Sequence, residues 1–536
     1  MTADSHDGMR RSIFRAGLFI FLLALAIRAI FLFQHRANPT FELPIVDALT
    51  YHQLAADLVA GHGFGAKVLW RPFFHPLFLG GVYRVFGVAA LPARLLQILL
   101  GAGTCVLAWG LGRRLVSERV GLLAGLMVAF YGPLIAQEGE LLPTTWEAFW
   151  LTAWLLLLAS RRAGSFHDVL VGLVAAALVL TRAVFLPFVL LVGAWETWKQ
   201  LKQRAVSGAV VSVVAFALPL LLVAMLSKSV TGHFNALPGS GGFNFYLGNN
   251  PRSAVTESMR PGDDAMRIYR MAAEAGVADR RGTSGYFYKE SVRYIREQPV
   301  HFLKGLARKT AQFFSSREIP RNLDVYLYRR WSSVLRALVW KCGGFGFPFG
   351  LLGPLALLGL IAERKRWPAP LVMCVVVCPV TIVFFIAAGR YRLPMIPAFA
   401  VLAAAGVTFL LDAGRRRDLK TLAVSLLAVI AVGVGICFPR EFAVERTDFE
   451  AELDYCSAGT LLEFCRPEEA AERLQAALQR RPDYLEARFN YGVALAQQGR
   501  VAEAVEQWQE VLRLDPADPD ALRALKNAAL MGHENP

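Results

Sequence analysis

The sequence predicts an all-α protein in which a polytopic bundle of membrane helices is followed by a small soluble α-helical repeat domain. Of the 536 residues, 55% are hydrophobic and only 18% are charged, and the mean hydropathy is +0.41. An ordinary soluble domain does not have this composition. Apolar stretches that could cross a bilayer recur over residues 1–438, and a 34-residue period follows near the C-terminus.

The apolar stretches predict about eleven membrane spans, because a helix of about 17–25 apolar residues crosses the hydrocarbon core. The stretch 167–181 is short for a span. The first stretch lacks a small-residue cleavage pattern, so we expect a retained anchor. The predicted spans lie near 13–34, 93–112, 119–136, 142–160, 167–181, 184–198, 206–227, 346–362, 370–388, 393–411 and 419–438.

Basic residues predict the orientation of the spans. Arg10, Arg11 and Arg15 precede the first span, and the positive-inside rule then places the N-terminus in the cytoplasm. Alternation of the spans brings every other basic cluster beside a short connection to the same side. These clusters are Arg113-Arg114, Arg161-Arg162, Lys199 with Lys202 and Arg204, Arg364-Lys365-Arg366, and Arg415-Arg416-Arg417.

We therefore expect a multi-pass protein of the cytoplasmic (inner) membrane whose large loops are periplasmic. The first outer loop (35–92), the long segment 228–345 and the C-terminal region from 439 fall on the outer side. ATP and nucleotide sugars are cytoplasmic and would be poor substrates there. The sequence also lacks a phosphate-binding glycine loop at a strand-to-helix junction.

The net charge of +15 combines two regions of opposite sign. Residues 439–536 carry 11 basic and 19 acidic side chains, whereas residues 1–438 carry 46 basic and 23 acidic ones. The positive excess thus belongs to the membrane region, where it sets topology and can attract the phosphate head groups of membrane lipids. Nucleic acid is not an expected partner.

The C-terminal region contains a repeat over about 467–530, and we take 467–536 as its domain and 439–466 as a linker. The segment 484–496 reads as one helix with small residues at its contact positions. The pattern resembles the tetratricopeptide repeat, a stacked helix pair. It predicts either a docking surface for a protein partner or a solubilising cap. Three residue pairs are 34 positions apart: Pro482 and Pro516, Ala470 and Ala504, and Leu474 and Trp508.

The cysteines fall into two groups. Cys456 and Cys465 lie close together in the linker, in a compartment expected to be oxidising, so either a disulfide or two free thiols is compatible with the sequence. The other five lie in or beside predicted spans, where a thiol behaves as a small apolar group. They are Cys105, Cys342, Cys374, Cys378 and Cys437.

Asp47 follows the first span and should lie at the outer boundary of the membrane. A carboxylate there is a candidate base for chemistry on a lipid-borne substrate. It also precedes a predicted helix, 48–60, which Gly61 and Gly63 end. Asp47 is thus equally a candidate N-cap, because aspartate accepts the unpaired N–H groups of a first helical turn.

Four short motifs, in this order, carry a resemblance to a known family. They are Asp47–Ala55, Arg71–Phe78, Asn244–Pro251 and Gly389–Pro397. Over about 10–440 the chain resembles the GT-C membrane glycosyltransferases, specifically glycosyltransferase family 39 in the broad sense. That family includes protein O-mannosyltransferases and the aminoarabinose transferase of lipid A.

The resemblance implies a GT-C-type catalytic domain over 1–438. Such enzymes move a sugar from a polyprenyl-phosphate-linked donor to a glycan, lipid or protein acceptor on the outer face, typically with inversion. We expect no cofactor and no required metal, because His52, His62 and His75 lack the spacing of helix-borne ligands. Some GT-C enzymes do use a metal. The resemblance does not identify the sugar.

The resemblance also implies roles for individual residues. Asp47 would be the base, and Glu140 a supporting acid, although Glu138 or Glu140 could instead be a solvated loop charge. Asp47 is followed by Ala48, whereas O-mannosyltransferases have two adjacent acids, which weakens an assignment to protein mannosylation. The candidate substrate-binding residues are Tyr51, His52, Arg71, His75, Lys309, Arg390 and Arg392. Arginine suits the leaving phosphate because its fork binds phosphate in a bidentate manner.

Two other classes of function remain open. A transporter or flippase of lipid-linked glycans would place charges within spans along a pathway. Arg182, at the end of a predicted span, is nearly the only such residue in the sequence. An inactive membrane scaffold would act through its C-terminal repeat, and Asp47 would then be replaceable.

Overall fold

The computed structural model describes residues 3–63, 70–160, 164–257, 259, 263–277, 280–322 and 324–533. The first half of the chain is helical. Its helices are α1 (Ala3–His35), α2 (Val46–Val59), α3 (Phe74–Phe86), α4 (Ala90–Leu115), α5 (Glu118–Ala129), α6 (Gly132–Glu138), α7 (Thr144–Ala159), α8 (Ser165–Thr181), α9 (Leu186–Lys202) and α10 (Val206–Thr231).

A series of shorter helices and one hairpin follows, and five further helices complete the membrane region. The shorter helices are α11 (Gly241–Gly248), α12 (Ser253–Thr256), α13 (Asp263–Glu274), α14 (Arg280–Glu297), α15 (Pro299–Phe313), α16 (Val325–Tyr328) and α17 (Ser333–Leu338). Strands β1 (Trp340–Cys342) and β2 (Phe345–Phe347) pair antiparallel. The last helices are α18 (Phe349–Ala362), α19 (Ala369–Phe384), α20 (Gly389–Arg392), α21 (Ile396–Arg415) and α22 (Leu419–Cys437). Short 3₁₀ turns lie at Pro39–Phe41, Ala183–Phe185, Leu393–Met395 and Ala443–Arg446.

Five helical segments in the described part of the chain are long and apolar enough to cross a membrane, which makes this a multi-pass membrane protein. The helices α5 and α6 form a sixth span if they are counted as one, although they are bent by 54°. Pro133 in the first turn of α6 accounts for this break, because proline cannot continue a preceding helix. The five segments are Ser12–His35, Ala90–Leu115, Val206–Thr231, Gly389–Arg415 and Leu419–Cys437.

Each of the eleven predicted spans coincides with a helix or with the bent pair, but their number is not confirmed. The helices α8, α18 and α19 are apolar yet only 14–17 residues long. A count of about eleven therefore stays a prediction.

Glycines allow close helix contacts in the membrane region. A Cβ atom on Gly359 of α18 would lie 1.9 Å from the carbonyl oxygen of Leu402 in α21, and one on Gly406 would lie 2.3 Å from that of Leu355. Gly172 of α8 approaches the backbone of α10 in the same way. Membrane helices associate through such small-residue contacts, because lipid provides no hydrophobic drive between them.

Charged side chains occur inside the bundle, contrary to the expectation that Arg182 is nearly alone. Arg28 of α1 lies 2.7 Å from Glu138 at the end of α6, and both side chains are buried. Glu138 therefore does not extend from an exposed outer turn. The two opposite charges neutralise each other, as buried charges in a membrane protein usually do.

The C-terminal domain, called the repeat domain from here on, is a stack of helices that begins with α23 (Phe449–Glu463), inside the segment predicted as a linker. The helices that follow are α24 (Pro467–Arg480), α25 (Leu485–Gln497), α26 (Val501–Leu514) and α27 (Pro519–His533). A Cβ atom on Gly492 would lie 2.4 Å from the indole nitrogen of Trp508, so α25 and α26 touch where the repeat pattern predicts a small residue. The segment predicted as a linker, 439–466, contains α23, which packs on α24.

No disulfide joins Cys456 and Cys465 in the structure. Cys456 lies within α23, whereas Cys465 follows its end. Because a helix rises about 1.5 Å per residue, nine positions separate their backbones by far more than a disulfide spans. A bridge between them would require α23 to unwind.

Candidate active site

Asp47 lies in the first turn of α2, where the chain enters the helix from an extended segment. Ile45 occupies the N-cap position, and the side chain of Asp47 does not cap the helix. Val46 has a positive φ of 53°, which is unusual for a β-branched residue and costs conformational energy. The N-cap interpretation of Asp47 is therefore wrong, and its carboxylate is directed to other groups.

Three side chains donate hydrogen bonds to the Asp47 carboxylate. Arg71 Nη1 lies 2.9 Å from Oδ1, and Arg390 Nη2 lies 2.9 Å from Oδ2. Asn322 Nδ2 lies 3.1 Å from Oδ2. The Asp47 side chain keeps 19% of its surface exposed. The structure thus brings the predicted base together with two of the predicted phosphate ligands, although they lie far apart in sequence.

These partners decide the protonation state of Asp47. Burial alone would raise the pKa of its carboxyl, but the positive charges of Arg71 and Arg390 and the hydrogen bonds from Arg390 and Asn322 lower that pKa far below its usual range. The carboxylate is ionised at any physiological pH. It can accept a proton, although it is a weak base while both guanidinium groups hold it.

Asp47 lies on the wall of a cavity of about 480 Å³. Among the described residues that line it, four are arginines, Arg71, Arg182, Arg321 and Arg390, and Asp47 is the one acidic residue. Most of the remaining wall is apolar. The first outer loop, the start of α9 with its preceding turn, α11 and the end of α19 contribute the wall, together with residues 321–322. The cavity therefore combines an apolar volume with a cluster of positive charge.

Arg182 and Tyr391 extend this cluster. Arg182 Nη1 lies 3.2 Å from a carboxylate oxygen of the buried Glu147, and its guanidinium lies 4.7 Å from the centre of the Tyr391 ring. Arg390 Nη2 also donates to the Tyr391 hydroxyl, at 3.2 Å. From the sequence, Arg182 is predicted only as a charge at the end of a span. Its position at a boundary, like that of Asp47, was the signal that could have found it.

Glu140 lies apart from the large cavity. Its Oε1 accepts hydrogen bonds from the hydroxyls of Tyr328 (2.6 Å) and Thr40 (3.0 Å), and its side chain is buried. Burial raises the pKa of Glu140, and these hydrogen bonds oppose the rise. Glu140 lines a second, smaller cavity of about 50 Å³, whose wall also includes Asn322 and Arg390. It does not contact Asp47.

Two of the predicted substrate-binding residues, Arg392 and Lys309, bind other groups of the protein. Arg392 is fully buried, and it forms a 2.8 Å ion pair with Glu318 and donates to the carbonyl oxygen of Phe313. Lys309 is also buried, and its ammonium donates to the carbonyl oxygens of Gly248 and Phe385 at 3.0 and 3.3 Å. Neither side chain lines the large cavity. Both side chains hold backbone segments together, and a role of either one in binding substrate stays a prediction.

Among the aromatic and histidine candidates, Tyr51 lines the large cavity, whereas His52 and His75 do not. His75 is buried behind Tyr51, with ring centres 4.9 Å apart, and burial lowers the pKa of His75 to about 4, so it carries no positive charge for a phosphate. His52 Nδ1 lies 2.7 Å from the hydroxyl of Tyr83 and is not part of the cavity wall. Tyr51 is thus the one of the three that reaches the cavity.

Asn322 is the donor that sequence reasoning missed. It lies 275 residues from Asp47 in the long outer segment, within Pro320-Arg321-Asn322. A single asparagine in a loop has no periodicity or charge pattern that would mark it. Among the described residues, no group of three or more histidine, cysteine, aspartate or glutamate side chains is arranged to hold a metal ion.

The fold and site thus define a multi-pass membrane protein with an arginine-rich cavity and a C-terminal helical repeat. A tetratricopeptide repeat family model matches residues 460–531, which confirms the predicted repeat. No protein among the curated sequences matches the chain.

The chain is also similar to solved structures of two membrane enzymes. One is the oligosaccharyltransferase of Archaeoglobus fulgidus tethered to an acceptor peptide, with 14% identity, a TM-score of 0.44, and coverage of 95% of this chain and 59% of that one. The other is ArnT of Cupriavidus metallidurans bound to undecaprenyl phosphate, with 15% identity, a TM-score of 0.32, and coverage of 76% and 79%. The chain spans a little over half the length of the archaeal enzyme.

Proposed function

We propose that residues 1–438 transfer a sugar from a polyprenyl-phosphate-linked donor to an acceptor hydroxyl at the outer face of the cytoplasmic membrane. One observation carries the proposal: Asp47 lies in a mainly apolar cavity among four arginines. A polyprenyl phosphate has the matching chemistry, since its chain is apolar and its phosphate is anionic. The four motifs that resemble GT-C glycosyltransferases agree with it.

The arginines favour the transition state because of how charge changes during transfer. The sugar-linked lipid phosphate is a diester with one negative charge, and the lipid phosphate that leaves is a monoester with two. Arg71 and Arg390, which lie beside Asp47, would therefore bind the leaving group more strongly than the bound donor. Interactions that strengthen as charge develops are those that accelerate a reaction.

Asp47 would accept the proton of the acceptor hydroxyl. The acceptor oxygen bonds to the anomeric carbon, and the bond from that carbon to the phosphate oxygen breaks. The electron pair leaves with the phosphate, and the proton resides on Asp47. In this scheme the donor phosphate competes with Asp47 for Arg71 and Arg390, which loosens their hold and makes the carboxylate a stronger base. Glu140 would support the site through Tyr328 rather than take the proton.

The first test replaces the base. Asp47→Asn keeps the shape of the side chain and one acceptor oxygen, but it removes the negative charge and the proton acceptor, so transfer should fall by about 10²-fold or more. Asp57→Asn is the matched control, because Asp57 is an exposed carboxylate on the same helix, and its turnover should equal that of the unmodified protein. Near-normal turnover by Asp47→Asn would remove the catalytic assignment.

The second test identifies the donor. Mass spectrometry of polyprenyl-linked sugars in cells that lack this chain should find one species accumulating, and complementation with Asp47→Asn should not clear it. If deletion leaves the pool of lipid-linked sugars unchanged, the chain does not consume such a donor. Accumulation that Asp47→Asn does clear would instead support a flippase, which needs no base.

A further inference from the structure

The C-terminal repeat domain contacts the segment that leads into Asp47. Leu43 is 8% exposed and belongs to a buried apolar cluster with residues of the repeat domain, including Ala458, Leu461 and Leu474. Leu43 thus fills a place in the core of that domain. The contact fixes the chain four residues before the catalytic carboxylate.

A buried hydrogen bond reinforces this contact. Thr460 of α23 is 1% exposed, and its hydroxyl donates to the carbonyl oxygen of Pro44 at 3.0 Å. Gln53 of α2 also donates to Glu463 at the end of α23. A buried carbonyl that loses its donor carries a desolvation penalty, so the Thr460 bond holds Pro44 in place.

The segment between Pro44 and Asp47 needs such support because its backbone is strained. Val46 has a φ of 53°, in the left-handed region that a β-branched residue avoids, and Ile45 before it is extended. Such conformations persist only where the surroundings fix them. Pro44 and Leu43 are anchored on α23, which supplies that constraint on one side, and α2 supplies it on the other.

A second contact reaches the other side of the site. Phe442, Val444 and Phe449, which lead into the repeat domain, form a buried cluster with Ile319. Ile319 lies three residues before Asn322, whose side chain donates to Asp47. The C-terminal region therefore packs against both segments that meet at the carboxylate.

We propose that the repeat domain is part of the active site, with Thr460 and Leu43 as positioning residues that set the place of the Asp47 carboxylate. This goes beyond a docking surface or a solubilising cap. The inference rests on the proposed function in one respect, which is that Asp47 is the base. The packing of the segment 43–47 is independent of that function and can be measured without an assay of transfer.

The test uses the full-length protein in detergent. Thr460→Val keeps the shape of the side chain and removes the hydroxyl, Thr460→Ser keeps the hydroxyl, and Leu43→Ala removes the apolar anchor. Thr408→Val is the matched control, since the Thr408 hydroxyl bonds only within its own helix, to carbonyls of Ala404 and Ala405. Hydrogen exchange of peptides covering 43–52 and the kinetics of transfer are both measured.

Thr460→Val and Leu43→Ala should raise the exchange of peptides 43–52 several-fold, while Thr460→Ser and Thr408→Val should match the unmodified protein. The kcat of Thr460→Val should fall about 10-fold or more with the KM for donor unchanged, since small displacements of a catalytic group reduce rate. Unchanged exchange and unchanged kcat in Thr460→Val would overturn the inference. If exchange rises but the unmodified protein transfers no sugar, positioning stands and the proposed function fails.

Discussion

The Asp47 carboxylate carries one negative charge and contacts two guanidinium groups. Because these lower its pKa far below the usual range, Asp47 contributes to stability at pH values above the ordinary aspartate pKa of about 3.9, and this contribution is lost only as the pH falls through the depressed value. Between pH 5 and 8 the contribution is constant. Any pH dependence of stability in that range must come from other groups.

Removal of one arginine should bring the titration of Asp47 into view. In Arg71→Gln one positive charge is lost, so the pKa of Asp47 rises toward the ordinary value of about 3.9. The acid limb of kcat/KM, measured from pH 3 to 8, should then move to higher pH, and the maximal rate should fall. Arg84→Gln changes an exposed arginine of the neighbouring α3 and should leave the profile unaltered. Identical acid limbs in both variants would contradict the coupling of Arg71 to Asp47.

Glu140 offers a contrast with Asp47. Glu140→Gln keeps an oxygen that can accept from Thr40 and Tyr328, so we expect turnover within about 10-fold of normal, against a loss of about 10²-fold or more for a general base. The variant should also lower the melting temperature, because a buried network of hydrogen bonds is altered. Turnover and thermal unfolding measured on the same preparation check this. A loss as large as that of Asp47→Asn would make Glu140 a second catalytic acid.

The sequence predicts some of these residues for physical reasons and misses others. Asp47 and Arg390 lie at the ends of apolar stretches, where a charge is unusual and can be recognised. Arg392 lies at the same boundary, but two residues along a helix point to different sides, and the sequence does not say which side meets the cavity. Lys309 lies in the helix α15, where neighbouring segments cover it. Burial by distant segments is a tertiary property that local spacing does not contain.

At the scale of elements, the short helix α11 forms a wall of the cavity and depends on two glycines. A Cβ atom on Gly248 would lie 1.8 Å from the carbonyl oxygen of Phe385, and one on Gly242 would lie 1.9 Å from that of Ser284. The backbone of α11 is therefore in direct contact with the backbone at the end of α19 and with the backbone of α14. No other residue can occupy either place without a shift of backbone.

Gly248→Ala should destabilise the protein and disturb the cavity. Overpacking of this kind costs about 1–3 kcal/mol, and the displaced backbone carries Leu247, which lines the cavity. Gly305→Ala is the matched control, because a Cβ there meets no atom within 4 Å, and it should be neutral or stabilising by about 0.5–1 kcal/mol. Thermal unfolding and binding of polyprenyl phosphate measure the two effects. Equal behaviour of the two variants would contradict the close fit of α11.

Element boundaries show how far local pattern reaches. Gly61, with a φ of 84°, follows α2 as predicted, because glycine adopts the left-handed conformation after a helix. The apolar pattern of residues 119–136 does not predict the 54° bend, although Pro133 within this stretch indicates a break. Helices such as α18, with 14 residues, are apolar throughout but shorter than a full crossing. Hydropathy detects them without deciding whether each one spans.

At the scale of the whole molecule, the contacts of α23 with the first loop place the repeat domain and Asp47 on the same face. The repeat and the long apolar helices were predictable, because both depend on period and composition. The packing of the repeat domain on Leu43 was not predictable, since it joins residues more than 400 positions apart. The side of the membrane on which this face lies stays a prediction.

Thiol labelling tests that orientation. Cys465 and Cys342 are exposed, and both are predicted on the outer side, whereas Cys105, Cys374 and Cys378 are buried. A membrane-impermeant maleimide should label the protein in intact spheroplasts as fully as after permeabilisation. The double variant Cys465→Ser with Cys342→Ser should lose most of the signal, because Cys437 and Cys456 are only partly exposed. Labelling that requires permeabilisation would place Asp47 in the cytoplasm and end the proposal of an outer-face reaction.

The packing of Leu43 among the repeat helices has a consequence for evolution and for protein engineering. A chimera that joins this membrane region to a foreign tail at residue 439 would leave Leu43 with no matching recess, and grafting this tail elsewhere would leave the recess empty. The two parts must therefore change together, so a lineage that replaced its tail would be expected to alter residues 43–44 at the same time. The first outer loop and the repeat helices thus form one structural unit, which crosses the boundary between the two domains.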